Sequence, residues 1–481
     1  MSMYDELKDQ ARQGLDIRTH SGKVAGGDVF VAIPGSRVDG RDFIPDALER
    51  GAAWVVTNEP FSLPEASAAR IVIHEDPREA LGELAAARYG SENLDFPLVG
   101  VTGTNGKTTI VHTLEHLYTA NNKRAGLIGT VAQRWPGHDE EASMTTPDCI
   151  QLHESFGEMA RAGVDAAFME VSSHALDQHR TAGLEFSVAA LSNMSQDHLD
   201  YHGDMESYFA AKARLFTGHP KQDKMAVINV DDAQGKLLVG QGVNAIAYGL
   251  TDSGASMPGT ARYLHGQILA DTVAGLRLSM TFAGRSWELR SPMIGQHNAQ
   301  NLLTVQGVGL ALGLEPEAFS VLENYAGVPG RLERVSPPGN FHVFVDYAHT
   351  PDALENVLAA LKQLDFKRLI TVFGCGGDRD RTKRPLMAQA VAKYSDVAVL
   401  TSDNPRSEDP VAIMNDARPG LLNCKQVFET PDRRQAIGVA ISEMAPGDVV
   451  LIAGKGHEPY QEVKGVKHPF SDQEVAREIL A

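Results

Sequence analysis

Pro97-Leu-Val-Gly-Val-Thr-Gly-Thr-Asn-Gly-Lys-Thr-Thr-Ile110 decides how the rest of the chain is read. Leu98, Val99 and Val101 form a short apolar run of strand length, and Gly103-Thr104-Asn105-Gly106 makes a tight turn. Lys107, Thr108 and Thr109 follow, and Val111, Leu114, Leu117 and Tyr118 recur at helical spacing. A strand, a glycine-rich turn, Lys-Thr and a helix together make a phosphate cradle. The glycines let backbone N–H groups approach an anion, the helix N-terminus contributes its positive dipole end, and the lysine adds a charge. A threonine hydroxyl beside the lysine suits Mg²⁺. The spacing departs from GxxxxGK[ST], because Val101 stands where the first glycine would be.

Outward from this loop, the chain reads as a series of α/β units. With 481 residues and 43% hydrophobic residues, it is long enough for two or three domains with sizeable cores. The net charge of −18 argues against a general nucleic-acid binder, whose footprint would be basic. Three cysteines, Cys149, Cys375 and Cys424, are widely spaced and give no metal-ligand pattern. The N-terminus lacks the apolar stretch of a signal peptide, and no run reaches membrane-span length. The expectation is a cytoplasmic protein.

Residues 1–93 alternate strand-like runs (28–33, 53–56, 70–73) with helical ones (43–52, 77–89), and the hydrophilic stretch 90–93 reads as a linker. Residues 94–328 repeat one theme, an apolar run ending in polar residues. Ala166–Met169 leads to Glu170, Ser172 and His174; Val188–Leu191 leads to Asn193, Asp197 and His198; Met225–Ile228 leads to Asn229 and Asp231. Ligands of open parallel sheets sit beyond the carboxyl ends of strands, so these clusters should converge with the loop. Residues 245–292 suggest antiparallel hairpins and 298–313 a helix. From 329 to 481 a second doubly wound pattern ends its strands in Asp346, Arg379, Asp403–Arg406 and Gly454–Glu458, and Gly327–Gly330 makes a plausible hinge before it.

Taken alone, the residues leave several roles open. Glu170 and the Thr108 or Thr109 hydroxyl are natural Mg²⁺ candidates. His198 is open between a ligand and a turn hydrogen bond. Lys212, on an expected helix over 207–216, reads first as a solvated lysine. Arg379 and Arg406 suit bidentate recognition of a carboxylate or phosphate, but each could equally be a turn arginine in a salt bridge. Pro405 fixes the backbone before Arg406.

Together, the motifs resemble the Mur ligase family. They are Thr102–Thr109, Glu170–His174, Asp197–His202, His297-Asn298 with Asn301, Gly330–Glu333, Asp346–Pro351 and Asp403–Arg406, in order over essentially the whole chain. The resemblance implies three α/β domains: an N-terminal UDP-binding domain (1–93), a central P-loop ATPase-like parallel-sheet domain (94–328) and a C-terminal Rossmann-like domain (329–481) that binds the amino acid. It implies an ATP-dependent ligase of peptidoglycan precursor synthesis, and hence of cell-wall biogenesis, shape and division. Such a ligase joins an amino acid to UDP-N-acetylmuramoyl-L-alanyl-D-glutamate through an acyl phosphate. The Asp-Asn-Pro-Arg form resembles members that add meso-diaminopimelate rather than L-lysine. Use of L-lysine or another diamino acid, a folylpolyglutamate-synthase-like ligase, and a non-ligating nucleotide switch are the competing readings.

By the same resemblance, Gly103, Thr104, Asn105, Gly106, Lys107, Thr108, Thr109, Asn301, Arg331 and Asp346 bind ATP. Thr108, Glu170, His198 and a carbamoylated Lys212 hold Mg²⁺, with Lys107, Lys212 and His198 catalytic. Ser21, Ser36, Arg37, Val38, Thr145, Thr146, Ser172, Gln178 and Arg180 bind the UDP-muramoyl dipeptide. Arg379, Asp403, Asn404, Pro405, Arg406, Gly454 and Glu458 bind diaminopimelate. The implied partners are small molecules only, with no nucleic acid or membrane, and the expected state is a monomer. One departure stands out: the family usually has Asp-Ser-Arg where this chain has His20-Ser21-Gly22.

Overall fold

The computed structural model describes residues 2–35, 38–63, 67–217, 224–251, 262–337 and 341–481. The chain divides into two compact units, one formed chiefly by residues up to 247, the other chiefly by 263–306 and 315–481. Among the described residues, no helix is long and apolar enough to cross a membrane.

The first unit opens with a four-stranded parallel sheet, β1 (Ile17–Arg18), β2 (Val29–Val31), β3 (Trp54–Thr57) and β4 (Arg70–Ile73), in sequential order. The helix Pro77–Tyr89 follows, with Asp76 capping its start, proline in its first turn and Gly90 closing it in the left-handed region. Leu84, Ala80 and Leu81 of this helix share a core with Val29, Val56 and Cys149.

Next come β5 (Leu98–Thr102), β6 (Ala125–Ile128), β7 (Ala132–Trp135), β8 (His138–Glu141), β9 (Ala166–Glu170), β10 (Val188–Leu191) and β11 (Met225–Asn229). They lie in the order β11-β10-β5-β9-β6-β7-β8. The five strands from β11 to β6 are parallel, whereas β7 and β8 pair antiparallel, so the sheet expected to be parallel is mixed. The parallel strands are buried on both faces and read as continuous apolar runs; β8, His-Asp-Glu-Glu, is an exposed edge with no apolar signal.

The stretch 90–93, expected to be a linker, is not a free tether. Ser91 is buried, its Oγ lies 2.6 Å from His153 Nδ1, and His153 Nε2 lies 2.8 Å from the Ala182 carbonyl. A carbonyl only accepts, so Nε2 carries the proton and Nδ1 accepts from Ser91. A Cβ on Gly82 would run into Ala182, and one on Gly157 into Tyr89. The first sheet and the central sheet are therefore closely packed within one unit.

β12 (Ala245–Gly249) leads out of the first unit. In the second, β13 (Arg262–Thr272), β14 (Gly275–Phe282) and β15 (Arg285–Ser291) form the antiparallel meander expected from their alternation. The helix expected over 298–313 runs from Gln296 to Ala311. β16 (Glu333–Arg334), β17 (His342–Asp346), β18 (Leu369–Cys375), β19 (Val397–Ser402), β20 (Gln426–Glu429) and β21 (Val449–Ala453) form a sheet in the order β16-β17-β21-β18-β19-β20. All neighbours in it are parallel except β16 and β17. A hairpin, β22 (Tyr460–Val463) and β23 (Val466–Pro469), completes the unit's strands.

Candidate active site

β5 ends at Thr102, and the chain turns at Gly103 (φ +141°) and Gly106 (φ +88°), in backbone conformations that favour glycine. A Cβ on Gly103 would run into Ser192 Oγ. The tail of the neighbouring strand β10 grips the loop. Thr104 N donates to Asn193 O (2.8 Å), Asn105 N to Asn193 Oδ1 (3.0 Å), and Ser192 Oγ to Asn105 O (2.5 Å). The polar clusters at strand ends thus converge as expected. Ser192 and Asn193 shape the loop from behind. Lys107 Nζ donates to Gly103 O (3.0 Å) and Thr104 O (2.9 Å) at the start of the helix Lys107–Ala120, whose first turn also carries Thr108 and Thr109.

Glu170, at the end of β9, is buried and accepts from Thr108 Oγ1 (3.0 Å), Thr130 N (2.7 Å) and Thr130 Oγ1 (3.1 Å). Burial pushes its pKa up, against the pull of Lys107. A Cβ on Gly129 would crowd the carboxylate. Thr130 is a site residue that sequence reasoning missed; nothing in its surroundings marks it until Glu170 is in place.

Lys212 is fully buried on the helix Met205–Thr217, so a solvated lysine is excluded. Its Nζ donates to the same Gly103 carbonyl (2.8 Å) and sits 4.6 Å from the Tyr208 ring centroid. Burial, reinforced by Lys107, brings its pKa down to about 6. The amine is therefore neutral near pH 7 and able to act as a nucleophile. His198 takes a left-handed conformation (φ +52°), remains half-exposed, and packs edge-on to His174 at 4.9 Å.

Among the described residues, no three His, Cys, Asp or Glu side chains gather as a metal site. The expected Mg²⁺ set is not such a gathering, since it draws on a threonine hydroxyl and a lysine as well as Glu170 and His198. Hard oxygen donors on Glu170 and Thr108, beside a glycine cradle, fit Mg²⁺ with phosphate.

A second network borders the first. Thr130 Oγ1, whose one hydrogen goes to Glu170, lies 3.1 Å from Thr145 Oγ1 and accepts from it, and Ser172 N donates to Thr146 Oγ1 (3.1 Å). Arg180 donates to Thr146 O (2.8 Å) and, in a fork, to Gln178 Oε1 (3.1 and 2.8 Å). Gln178 and Arg180 line a cavity of 270 Å³ together with Thr19, Ile33 and Arg78 of the first sheet domain. Arg78 bridges Gln178 O and Pro34 O, both at 3.2 Å. Ser21 is buried at the start of a short 3₁₀ turn, and its hydroxyl helps hold the Asp46 carboxyl below the usual carboxylate range. Val38 is exposed. Ser36 and Arg37 lie outside the described residues.

In the second unit, three strand-end turns meet. Gly330 packs so closely on Gly456 and His457 that a Cβ would strike their backbone. Arg331 stacks over Tyr347 at 4.9 Å. Asp346 accepts from Leu332 N (2.7 Å) and Ala348 N (2.8 Å), and burial pushes its pKa up. Asn301 donates to Asn298 Oδ1 (3.1 Å).

The turn after β18 is stitched to the turn after β19 by Gly377 N to Asn404 O (2.9 Å) and Arg406 Nη1 to Gly377 O (2.7 Å). A Cβ on Gly376 would lie 3.1 Å from Arg406 Nη1 and 3.7 Å from Arg379 Cγ, so the two arginines flank one turn. Pro405 is buried behind it. Gly454 (φ +123°) faces Asp403 Oδ2, and Asn404 Nδ2 donates to Glu458 Oε2 (2.9 Å). Buried Arg384 braces both turns through Glu408 (2.6 Å) and Gly376 O (3.3 Å). In sequence it is one more helical arginine.

Family models match along the chain: Mur ligase family, catalytic domain, over 16–89; Mur ligase middle domain over 101–309; and Mur ligase, glutamate ligase domain, over 330–456. The chain belongs to the Mur ligase family. This Mur ligase is 53% identical to the UDP-N-acetylmuramoyl-L-alanyl-D-glutamate--2,6-diaminopimelate ligase of Lawsonia intracellularis, covering 96% of this chain and 95% of that one. It is 44% identical to the ligase of the same description from Gloeobacter violaceus, over 98% and 97% of the two chains. A solved structure of a ligase so described superposes with a TM-score of 0.73 at 34% identity, covering 97% of this chain and 94% of that one.

Proposed function

We infer that this Mur ligase adds meso-2,6-diaminopimelate to UDP-N-acetylmuramoyl-L-alanyl-D-glutamate, converting ATP to ADP and phosphate. The carrying observation is the pairing of Arg379 and Arg406 around one turn, with Asn404 of the adjoining turn bonded to Glu458. Diaminopimelate ends in a second carboxylate and ammonium that lysine does not present together. Guanidinium and carboxylate groups on neighbouring turns suit that zwitterionic end. The identities to diaminopimelate ligases support the same reading.

The glutamyl carboxylate attacks the γ-phosphorus of ATP and ADP leaves, giving an acyl phosphate. The substrate amine then adds to the acyl carbon, loses a proton, and the tetrahedral intermediate expels phosphate. Positioning and charge stabilisation carry such steps. Lys107 and the amides of Gly103–Thr109 hold the phosphates. Thr108, Glu170, His198 and a carbamoylated Lys212 would hold Mg²⁺, which would supply neutralisation of the phosphate charge. The neutral Lys212 amine adds to CO₂ and releases one proton, becoming a carbamate with oxygen donors. Thr145, Thr146, Ser172, Gln178 and Arg180 hold the muramoyl peptide, with Ser21, Ser36, Arg37 and Val38 on the uridine nucleotide. Asn301, Arg331 and Asp346 contact ATP. Action in the cytoplasm as a monomer belongs to this reading, and three unpaired cysteines suit a reducing compartment.

Phosphate release with the muramoyl dipeptide and a panel of amino acids tests the proposal. The expected result is turnover that depends on meso-diaminopimelate, with lysine at least about 100-fold poorer in kcat/KM. Arg406→Ala should raise the KM for diaminopimelate roughly tenfold or more, because a charged hydrogen-bonding partner is lost. Equal use of lysine, or an unchanged Arg406→Ala enzyme, overturns it.

A further inference from the structure

Lys455 is fully buried between β21 and the hairpin β22–β23, and the reaction as derived above gives it no role. Its Nζ donates to Asn404 Oδ1 (3.1 Å) and Glu458 Oε2 (3.3 Å), and lies 5.7 Å from the Tyr460 ring centroid. Burying an amino group is costly unless its hydrogens find acceptors. Here both acceptors belong to residues placed against the amino acid, an inference that rests on the proposed function.

Two consequences follow from donor and acceptor counting. Asn404 Oδ1 accepts from Lys455 Nζ and also from Glu462 N (2.8 Å). Two donors on one atom identify it as the oxygen, so the amide NH₂ must point to Glu458 Oε2, 2.9 Å away. That carboxylate oxygen in turn receives both Asn404 Nδ2 and Lys455 Nζ. Oε2 is thereby occupied, and Oε1 is the oxygen left to meet an ammonium.

The hairpin supports the same arrangement from outside. Arg406 N donates to Glu462 O (3.1 Å) and Lys464 N donates to Arg406 O (2.6 Å), which holds Arg406 in its left-handed conformation (φ +50°). Gln461 Nε2 donates to Asp403 O (2.6 Å).

We propose that Lys455 is a positioning residue for amino-acid recognition: it fixes the orientation of the Asn404 amide and assigns one oxygen of Glu458 to the protein, leaving the other for the substrate ammonium. A lysine has donors only, so it cannot be satisfied by the flipped amide. No neutral apolar residue of the same length can impose that choice.

The test is a KM split in the full-length enzyme. Lys455→Met should raise the KM for diaminopimelate about tenfold, leaving the KM values for ATP and muramoyl dipeptide within about twofold. In a Glu458→Gln background the same substitution should change the diaminopimelate KM less than twofold, because the two act through one group. Lys455→Gln, which keeps a donor, should recover part of the loss and provides the measurement if the methionine variant does not fold. A parallel rise in all three KM values, an unchanged diaminopimelate KM, or full additivity with Glu458→Gln overturns the role. Failure of the wild-type enzyme to use diaminopimelate would instead overturn the proposed substrate. The Lys455 split would then be read with whichever amino acid the panel identifies.

Discussion

Lys212 shows how far one side chain's meaning depends on its surroundings. In sequence it is a helical lysine like any other. In the structure it is buried beside Lys107, bonded to Gly103 O and held at a pKa of about 6. The folded value lies below the unfolded value of about 10.4, so between these limits the unfolded chain binds more protons and stability rises with pH. Carbamoylation would remove this penalty by converting the amine to an anion. In CO₂-free buffer, the stability deficit of wild type relative to Lys212→Met should shrink by up to about 1.4 kcal/mol per pH unit from pH 7 to 9. Denaturant midpoints at matched pH check this, and added bicarbonate should narrow the gap at pH 8. A gap that ignores both pH and bicarbonate would rule out a neutral, reactive amine.

At the scale of elements, turns at strand ends carry the chemistry, and close packing fixes their shape. Gly103 combines a left-handed φ of +141° with no room for a Cβ against Ser192, whereas Gly137 has a φ of +87° and open space around it. Gly137→Ala should cost only the backbone term, about 1 kcal/mol. Gly103→Ala should cost roughly 2–4 kcal/mol, since strain and steric overlap add, and should weaken ATP use by an order of magnitude or more. Urea unfolding of the two variants, with ATP titration of each, separates the contributions. Equal losses would mean that the β10 tail does not set the loop's shape. The same packing logic explains Arg384 and the hairpin β22–β23, which hold two recognition turns in register without being marked in sequence.

For the molecule as a whole, the first sheet domain and the central sheet form one packed body, and His153 lies at their junction. Complete burial lowers its pKa to about 4. The unfolded value is about 6.5, so stability should be full above pH 6.5 and fall as the pH drops towards 4. Over that window the loss from this one group is up to about 3 kcal/mol. His153→Gln, which keeps a donor for Ala182 O and an acceptor for Ser91, should be less stable at neutral pH but flatter in acid. Thermal midpoints at pH 7 and pH 5 decide it, and a variant as acid-sensitive as wild type would place the acid-labile group elsewhere.

The apolar runs and their glycine and proline punctuation were enough to reveal the three α/β domains, the phosphate loop and the strand-end clusters. Doubly buried parallel strands leave continuous hydrophobic signals, and glycine is nearly the only residue that accepts the loop's backbone angles. Motif order extended that reading to the family and its substrates. The sequence could not show that β7 and β8 would add an antiparallel edge, because β8 is polar and exposed and leaves no periodic trace. Nor could it show that Ser91 would be buried in a junction. Only tertiary structure decided which polar residues are instruments and which are braces: Lys212, Thr130, Arg384 and Lys455 are ordinary by spacing and become distinct through burial and their partners. Each of these four has a hydrogen-bond partner 24 to 109 residues away along the chain, whereas local sequence patterns record only what neighbours within a turn or strand require.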